Sequence, residues 1–317
     1  LTALKDIVLP SVAINAVSTI NNANYAAYTV TGTCTTGDGN VSYTFASPSG
    51  GTDVTGSVSC SAGTWTTTAI SMASLNDDAA ISFNANQTDT ALNTGVATQL
   101  TALKDAVVPV VAINAVSTIN NANYTAYTVS GTCTTGDGNV SYTFSSPSGG
   151  TDVTGSVTCS TGSWTTTAIN MASLNDDAAI SFNANQTDSG SNTTNATQLT
   201  TLKDIVLPSV AINAVSTINN ANDTAYTVTG TCTTGDGNVS YTFSSPSGGT
   251  DVTGSVSCSA SSWTTTAISM ASLNDDAAIS FNANQTDTAL NTGVATQLTA
   301  LKDAVVPVVA INTVSAI

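Results

Sequence analysis

The chain has 317 residues, and its 20 acidic side chains, all Asp, face only 4 lysines, for a net charge of −16. It contains no His, Arg or Glu. That excludes the clustered cations needed for nucleic acid or anionic lipid, and the imidazole of Ser–His–Asp or Cys–His chemistry.

A hydrophobic fraction of 41% and a positive mean hydropathy set the chain apart from disordered polyanions. The hexapeptide Leu1-Thr2-Ala3-Leu4-Lys5-Asp6 returns at Leu100, at Leu199 with Thr for Ala, and at Leu298, a strict period of 99 residues. One period is the size of a small domain. The expected organisation is three units, 1–104, 105–203 and 204–302, with residues 303–317 opening a fourth.

Each unit holds two cysteines: Cys34 and Cys60, Cys133 and Cys159, Cys232 and Cys258. Six cysteines allow fifteen pairings, and a strict repeat favours the pairing each unit makes alone. Three intradomain disulfides are therefore expected, in an oxidising compartment; the other reading is six free thiols. The longest apolar stretch, Ile7 to Val17, is broken by Pro10, Ser11 and Asn15, short of the ~20 residues of a membrane helix. Without an initiator Met or leader, the sequence reads as a processed chain or a piece of a longer one, and the incomplete fourth unit favours the latter.

The elements can be read in the first repeat. After Pro10, Val12 and Ile14 alternate with polar neighbours as strand A, and Asn21-Asn22-Ala23-Asn24 is a turn. Strand B carries Tyr28, Val30, Gly32 and Cys34 on one face. Thr36-Gly37-Asp38-Gly39-Asn40 turns the chain into strand C, Val41 to Phe45. Val54 to Cys60 reads as strand D, Trp65 to Met72 as strand E, Ile81 to Ala85 as strand F and Gly95 to Leu100 as strand G. Seven short alternating strands without helical periodicity predict an all-β fold, a tandem array of seven-stranded β-sandwiches. An open meander or small barrel is the alternative.

The strings AYTVSGTCTTGDGNVSYTF, GSVTCSTGSW and AAISFNANQTD resemble the bacterial immunoglobulin-like repeats of giant surface adhesins. The lead-in KDIVLPSVAIN is similar to the Asp-x-x-x-Pro entry of those repeats. The resemblance covers every repeat. It implies immunoglobulin-like domains at the cell surface or outside the cell, serving as spacers or adhesive modules, often with calcium between them. Two departures stand out: the disulfide would join strands B and D, not B and F as in antibody domains, and the interdomain acids are sparse.

Strand parity places Asp77 and Asp78 at one pole of the first repeat, facing Asp188 at the opposite pole of the second, with Asp105 in the linker. The next junction gathers Asp176, Asp177, Asp204 and Asp287. One reading is a Ca²⁺ ion bridging neighbouring repeats through these oxygens. The other is that Asp is simply a turn former. No other cofactor is expected.

No enzymatic constellation survives inspection. Asp77 and Asp78 are adjacent, unlike carboxylates set across a glycosidic bond, and Gly37-Asp38-Gly39 reads as a hairpin turn. Trp65, Trp164 and Trp263 read as core residues beside the disulfide, with a sugar-stacking platform as the rival. The lysines sit in linkers, as solubilising charge or, in the rival reading, as partners of an isopeptide with Asn. Sequons such as Asn40-Val41-Ser42 and Asn86-Gln87-Thr88 mark possible surface glycosylation. Two functions remain: disulfide-stabilised structural repeats of an extracellular fibre or filament, or an adhesin binding module that recognises a sugar or receptor through its loops. Near-identity between repeats favours the first, whose partners are further repeats or other copies.

Overall fold

The computed structural model describes residues 5–312, and every regular element among them is a β-strand. In the first repeat these are β1 (Ala13–Ile14), β2 (Ile20–Asn21), β3 (Thr31–Thr33), β4 (Val41–Ala46), β5 (Val54–Val58), β6 (Thr64–Thr66), β7 (Asp78–Thr88), β8 (Thr94–Val96) and β9 (Leu100–Asp105). One sheet has the order β1-β3-β6 and the other β2-β9-β7-β4-β5, with β8 on the remaining length of β7. The same pattern recurs from Ala211, and from Ala112 with the counterpart of β2 reduced to a single parallel bridge between Ile119 and Lys203. The protein is thus an all-β array of immunoglobulin-like sandwiches.

Nine short strands stand where seven were expected, because strands A and G each divide. β1 pairs antiparallel with β3, whereas β2 runs parallel to β9, with Ile20 opposite Lys104. The switch lets Val12 and Ile20 both enter the core, although they sit on different sheets. It is held by Tyr28, whose hydroxyl donates to the Ser18 carbonyl at 2.6 Å. The strand expected as D is β5, which forms a hairpin with β4, Val41 opposite Val58 and Phe45 opposite Val54. It therefore lies in the sheet of β7.

That placement makes the disulfide an inter-sheet brace. Cys34 follows β3 and Cys60 follows β5, and the pairs Cys34–Cys60, Cys133–Cys159 and Cys232–Cys258 are all closed. Replacing Cys133 and Cys159 together by Ala is expected to cost the second repeat about 3 kcal/mol, the entropy returned to an unfolded loop of this length. Calorimetry on the full chain would resolve one transition of three moving down; an unmoved profile would contradict the brace.

Each repeat has its own core. In the first, Phe83 sits 4.8 Å from Phe45 and 6.0 Å from Tyr28, ring to ring. Trp65 lies over Gly32 and donates from Nε1 to the Ala13 carbonyl at 3.0 Å. A Cβ on Gly32 would come within 2.3 Å of that Nε1, so only glycine admits the indole. Gln87 is fully buried and fully satisfied. Its Oε1 accepts from Thr35 N at 2.9 Å, and its Nε2 donates to the carbonyls of Thr35 and Gly39 at 2.9 and 2.8 Å. One side chain thereby pins the β3–β4 loop to β7.

Candidate domain junction

The last strand of each sandwich leads directly into the next repeat. In β9, Leu100, Ala102 and Lys104 share the inward face, so the lysine is carried into the sandwich. Lys104, Lys203 and Lys302 are all buried, and each donates to one carboxylate: Asp77, Asp176 and Asp275. The lysine is therefore not a linker residue, as the sequence had been read. It belongs to the preceding sandwich, and its ion pair anchors the linker's first residue. The second oxygen of Asp77 accepts from Ala106 N at 3.1 Å, and that of Asp176 from Ile205 N at 3.1 Å. A register shift between β7 and β9 at Asp78 to Ile81 accompanies this arrangement.

Across the junction, the contacts are made by asparagines. The turn after β2 is tied by its own side chains: Asn21 N donates to Asn24 Oδ1 at 2.8 Å, and Ala23 N to Asn21 Oδ1 at 3.0 Å. Asn21 Nδ2 then donates to the Gly190 carbonyl at 3.1 Å, and Asn22 N to Asn192 Oδ1 at 2.8 Å. Gly190 and Asn192 lie in the second repeat, in the loop between the strands Asp177–Thr187 and Thr193–Asn195. At the next junction Asn120 Nδ2 donates to the Ala289 carbonyl at 2.9 Å, and Asn121 N to Asn291 Oδ1 at 2.7 Å. The atoms are the same, one period on.

Asp188 and Asp287, two of the expected calcium ligands, hold these asparagines. Each takes the Asn backbone N–H on one oxygen and the side-chain amide on the other, all at 2.8 Å. Asp78 and Asp177 are held by the hydroxyls of Ser49 and Ser148, both at 2.5 Å, and by the amides of Ala80 and Ala179. Asp105 and Asp204 cap the amides of Val107 and Val206 at 3.3 and 3.0 Å. The four carboxylates expected at each junction thus have separate partners within the protein. Among the described residues, no group of three or more His, Cys or acidic side chains is placed to hold a metal ion. Calcium takes six to eight oxygens, and most of these carboxylate oxygens accept from lysine, serine or N–H groups of the protein itself. The asparagines were not singled out from sequence. Their one signal is the spacing Asp-x-x-x-Asn, at Asp89–Asn93, Asp188–Asn192 and Asp287–Asn291.

Charge at the junction pulls in two directions. Burial raises the Asp105 carboxyl above the ordinary aspartate value of 3.8, and the nearby Asp188 and Asp77 charges add to it. Asp137 is raised by burial and then by Asp188 and Asp105, and Asp236 by burial and then by Asp287 and Asp204. Asp78, Asp177 and Asp276 are lowered, first by their serine hydroxyls. A raised carboxyl costs stability above its folded value and gives it back as pH falls through that value. A lowered one contributes above 3.8 and is lost below it. Acidification from neutral to about pH 4 is therefore expected to tighten the junction before further acid weakens the sandwiches. Protection of the Asn22 amide against hydrogen exchange, followed with pH, checks the sign; a monotonic fall from neutral would contradict it.

No family model matches the chain, and no curated protein matches it. Among solved structures it is similar to a tetra-tandem repeat in the extending region of a large adhesion protein, at 18% identity over 92% of this chain and 74% of that one, with a TM-score of 0.33. It is similar to a bacterial ice-binding adhesin described for host cell surface retention, at 19% identity, 95% and 100% coverage and a TM-score of 0.37. A third similarity is to a Ca²⁺-stabilised adhesin of an Antarctic bacterium that binds ice, at 22% identity, 94% and 75% coverage and a TM-score of 0.38.

Proposed function

We propose that this chain is a structural repeat region of an extracellular cell-surface fibre, its sandwiches serving as disulfide-stabilised spacers and its partners being further repeats of the same kind. The repeats, with the boundaries at 104, 203 and 302 given above, act as rigid units without catalytic work. The observation that carries this reading is the junction: two successive interfaces use the same donor and acceptor atoms, one period apart. A surface evolved to recognise a foreign ligand has no need to repeat its contacts inside the chain.

Three braced pairs of cysteines support an oxidising compartment, in keeping with a protein outside the cell. The interfaces close through hydrogen bonds between protein groups, so this reading does not depend on a calcium ion. A sugar-stacking tryptophan, the rival reading of Trp164, meets a specific obstacle. The hollow of about 390 Å³ beside Val157, Thr161 and Trp164 keeps its indole 2% exposed, which leaves no face for a sugar to stack on. Electron microscopy of the native particle tests the proposal. A thread one domain wide, or a filament built from such threads, is the expected image; compact, unextended particles would refute it.

A further inference from the structure

We propose that each junction is a latch of fixed polarity, in which the paired-asparagine turn donates twice and the Asp-x-x-x-Asn loop accepts twice, so that a repeat accepts only another repeat of this kind, head to tail. An Asn side chain presents an acceptor and a donor of nearly equal shape, and its neighbours decide which way each faces. Around Asn192 the choice is forced. Its Nδ2 meets only acceptors, the Asp188 carboxylate at 2.8 Å and the Asp105 carbonyl at 2.9 Å. Its Oδ1 must then face the preceding repeat, where it meets Asn22 N, a pure donor. Asn291 is fixed the same way by Asp287 and the Asp204 carbonyl.

The turn is polarised in the complementary sense. Asn21 Oδ1 is used within the turn by Ala23 N, which leaves Nδ2 to face outward, and Asn120 repeats this with Ala122 N. Donors on one end and acceptors on the other make a heterologous contact, which propagates in one direction. The latch also shields itself from water, for Asn192 and Asn291 are only 5% and 3% exposed.

Both halves stand ready at the outer ends of the described chain. Asn93 is oriented by Asp89 through the same two 2.8 Å bonds, and its Oδ1 meets no donor among the described residues. At the other end Asn219 Oδ1 accepts from Ala221 N at 2.9 Å, as its counterparts do. Its Nδ2 and the Asn220 N–H meet no acceptor among the described residues, and both residues are exposed. The polarity is a property of the atoms and does not rest on where the fibre is displayed.

Hydrogen exchange read by NMR on the full chain tests the latch, and its outcome is separate from that of imaging the particle. The Asn22 and Asn121 amides are expected to be protected and the Asn220 amide to exchange as an open turn. Asn192→Asp keeps the shape but sets an oxygen against Asp188 and the Asp105 carbonyl. It should lower protection at Asn22 by about tenfold or more while leaving Asn121 unchanged. Should that variant unfold the second repeat, Asn21→Asp carries the test from the other side. It preserves the acceptor that the turn uses, leaves the second repeat untouched and puts an oxygen against the Gly190 carbonyl, with the same loss expected at Asn22. Unchanged protection at Asn22 in a folded variant, or an Asn220 as protected as Asn22, would overturn the proposal.

Discussion

Replacing Asp176 by Ala is expected to destabilise the second repeat by about 3 kcal/mol, the lower end of what removing one partner of a buried ion pair costs. Lys203 is 1% exposed, and Asp176 is the carboxylate that compensates its charge. Without it the ammonium stays unpaired in the core, which is unfavourable. The lower end of the range applies because the Asp176 side chain is 31% exposed, so some water reaches the pair. The linker suffers as well, since Ile205 N loses its acceptor. Lys203→Met should behave differently: it removes the charge and keeps an apolar stem of similar length, at a cost of about 1 kcal/mol or less. Denaturation followed by tryptophan fluorescence separates the two. One of the chain's three indoles reports each repeat, so a third of the signal should shift for Asp176→Ala and barely move for Lys203→Met. Equal shifts would mean that the pair matters by shape and not by charge.

That ion pair is also where reading the sequence fell short, for a definable reason. Strand G was ended at Leu100, but the alternation Leu100, Ala102, Lys104 continues, and period two puts the lysine on the core face. A charged residue at the end of an apolar pattern looks like its termination, and only the carboxylate arriving from 27 residues earlier makes burial tolerable. The inward positions of strands B, C and F were legible because their neighbours alternate without exception: Val41, Tyr43, Phe45 and Ile81, Phe83, Ala85 are all buried. The pairing of β5 with β4 was not, since an edge hairpin and a crossing to the facing sheet bury the same residues. The junction hid for another reason. Asparagine in a turn is explained locally by turn chemistry, and nothing in one repeat's sequence says that Asn21 keeps a donor for its neighbour. The calcium expectation counted carboxylates near one another; their hydrogen-bond partners, several of them 27 to 29 residues away, could not be read from that count.

Trp164→Ala should cost the second repeat about 3–5 kcal/mol, the range for emptying a buried aromatic site. The indole is 2% exposed, and its Nε1 bridges the Ala112 and Thr132 carbonyls at 3.0 and 3.2 Å, tying the first and last strands of the smaller sheet together. Trp164→Phe keeps most of the buried area and leaves those carbonyls without the indole donor, so about 1–2 kcal/mol is expected. The glycine beneath supplies the sharper test. A Cβ on Gly131 would lie 2.4 Å from the Trp164 Nε1 and 1.9 Å from the Ala112 carbonyl oxygen. Gly131→Ala alone should therefore destabilise by about 1–3 kcal/mol through overpacking. Removing the indole clears the first clash and leaves the second, which a shift of the first strand can relieve once Nε1 no longer holds it. The two substitutions should then cost less together than the sum of their separate effects, by about 1 kcal/mol or more. Calorimetry of the two single variants and the double variant, with the first and third repeats as internal references, measures that coupling. Strict additivity would show that Gly131 answers to the backbone of Ala112 alone and that the indole is not what selects it.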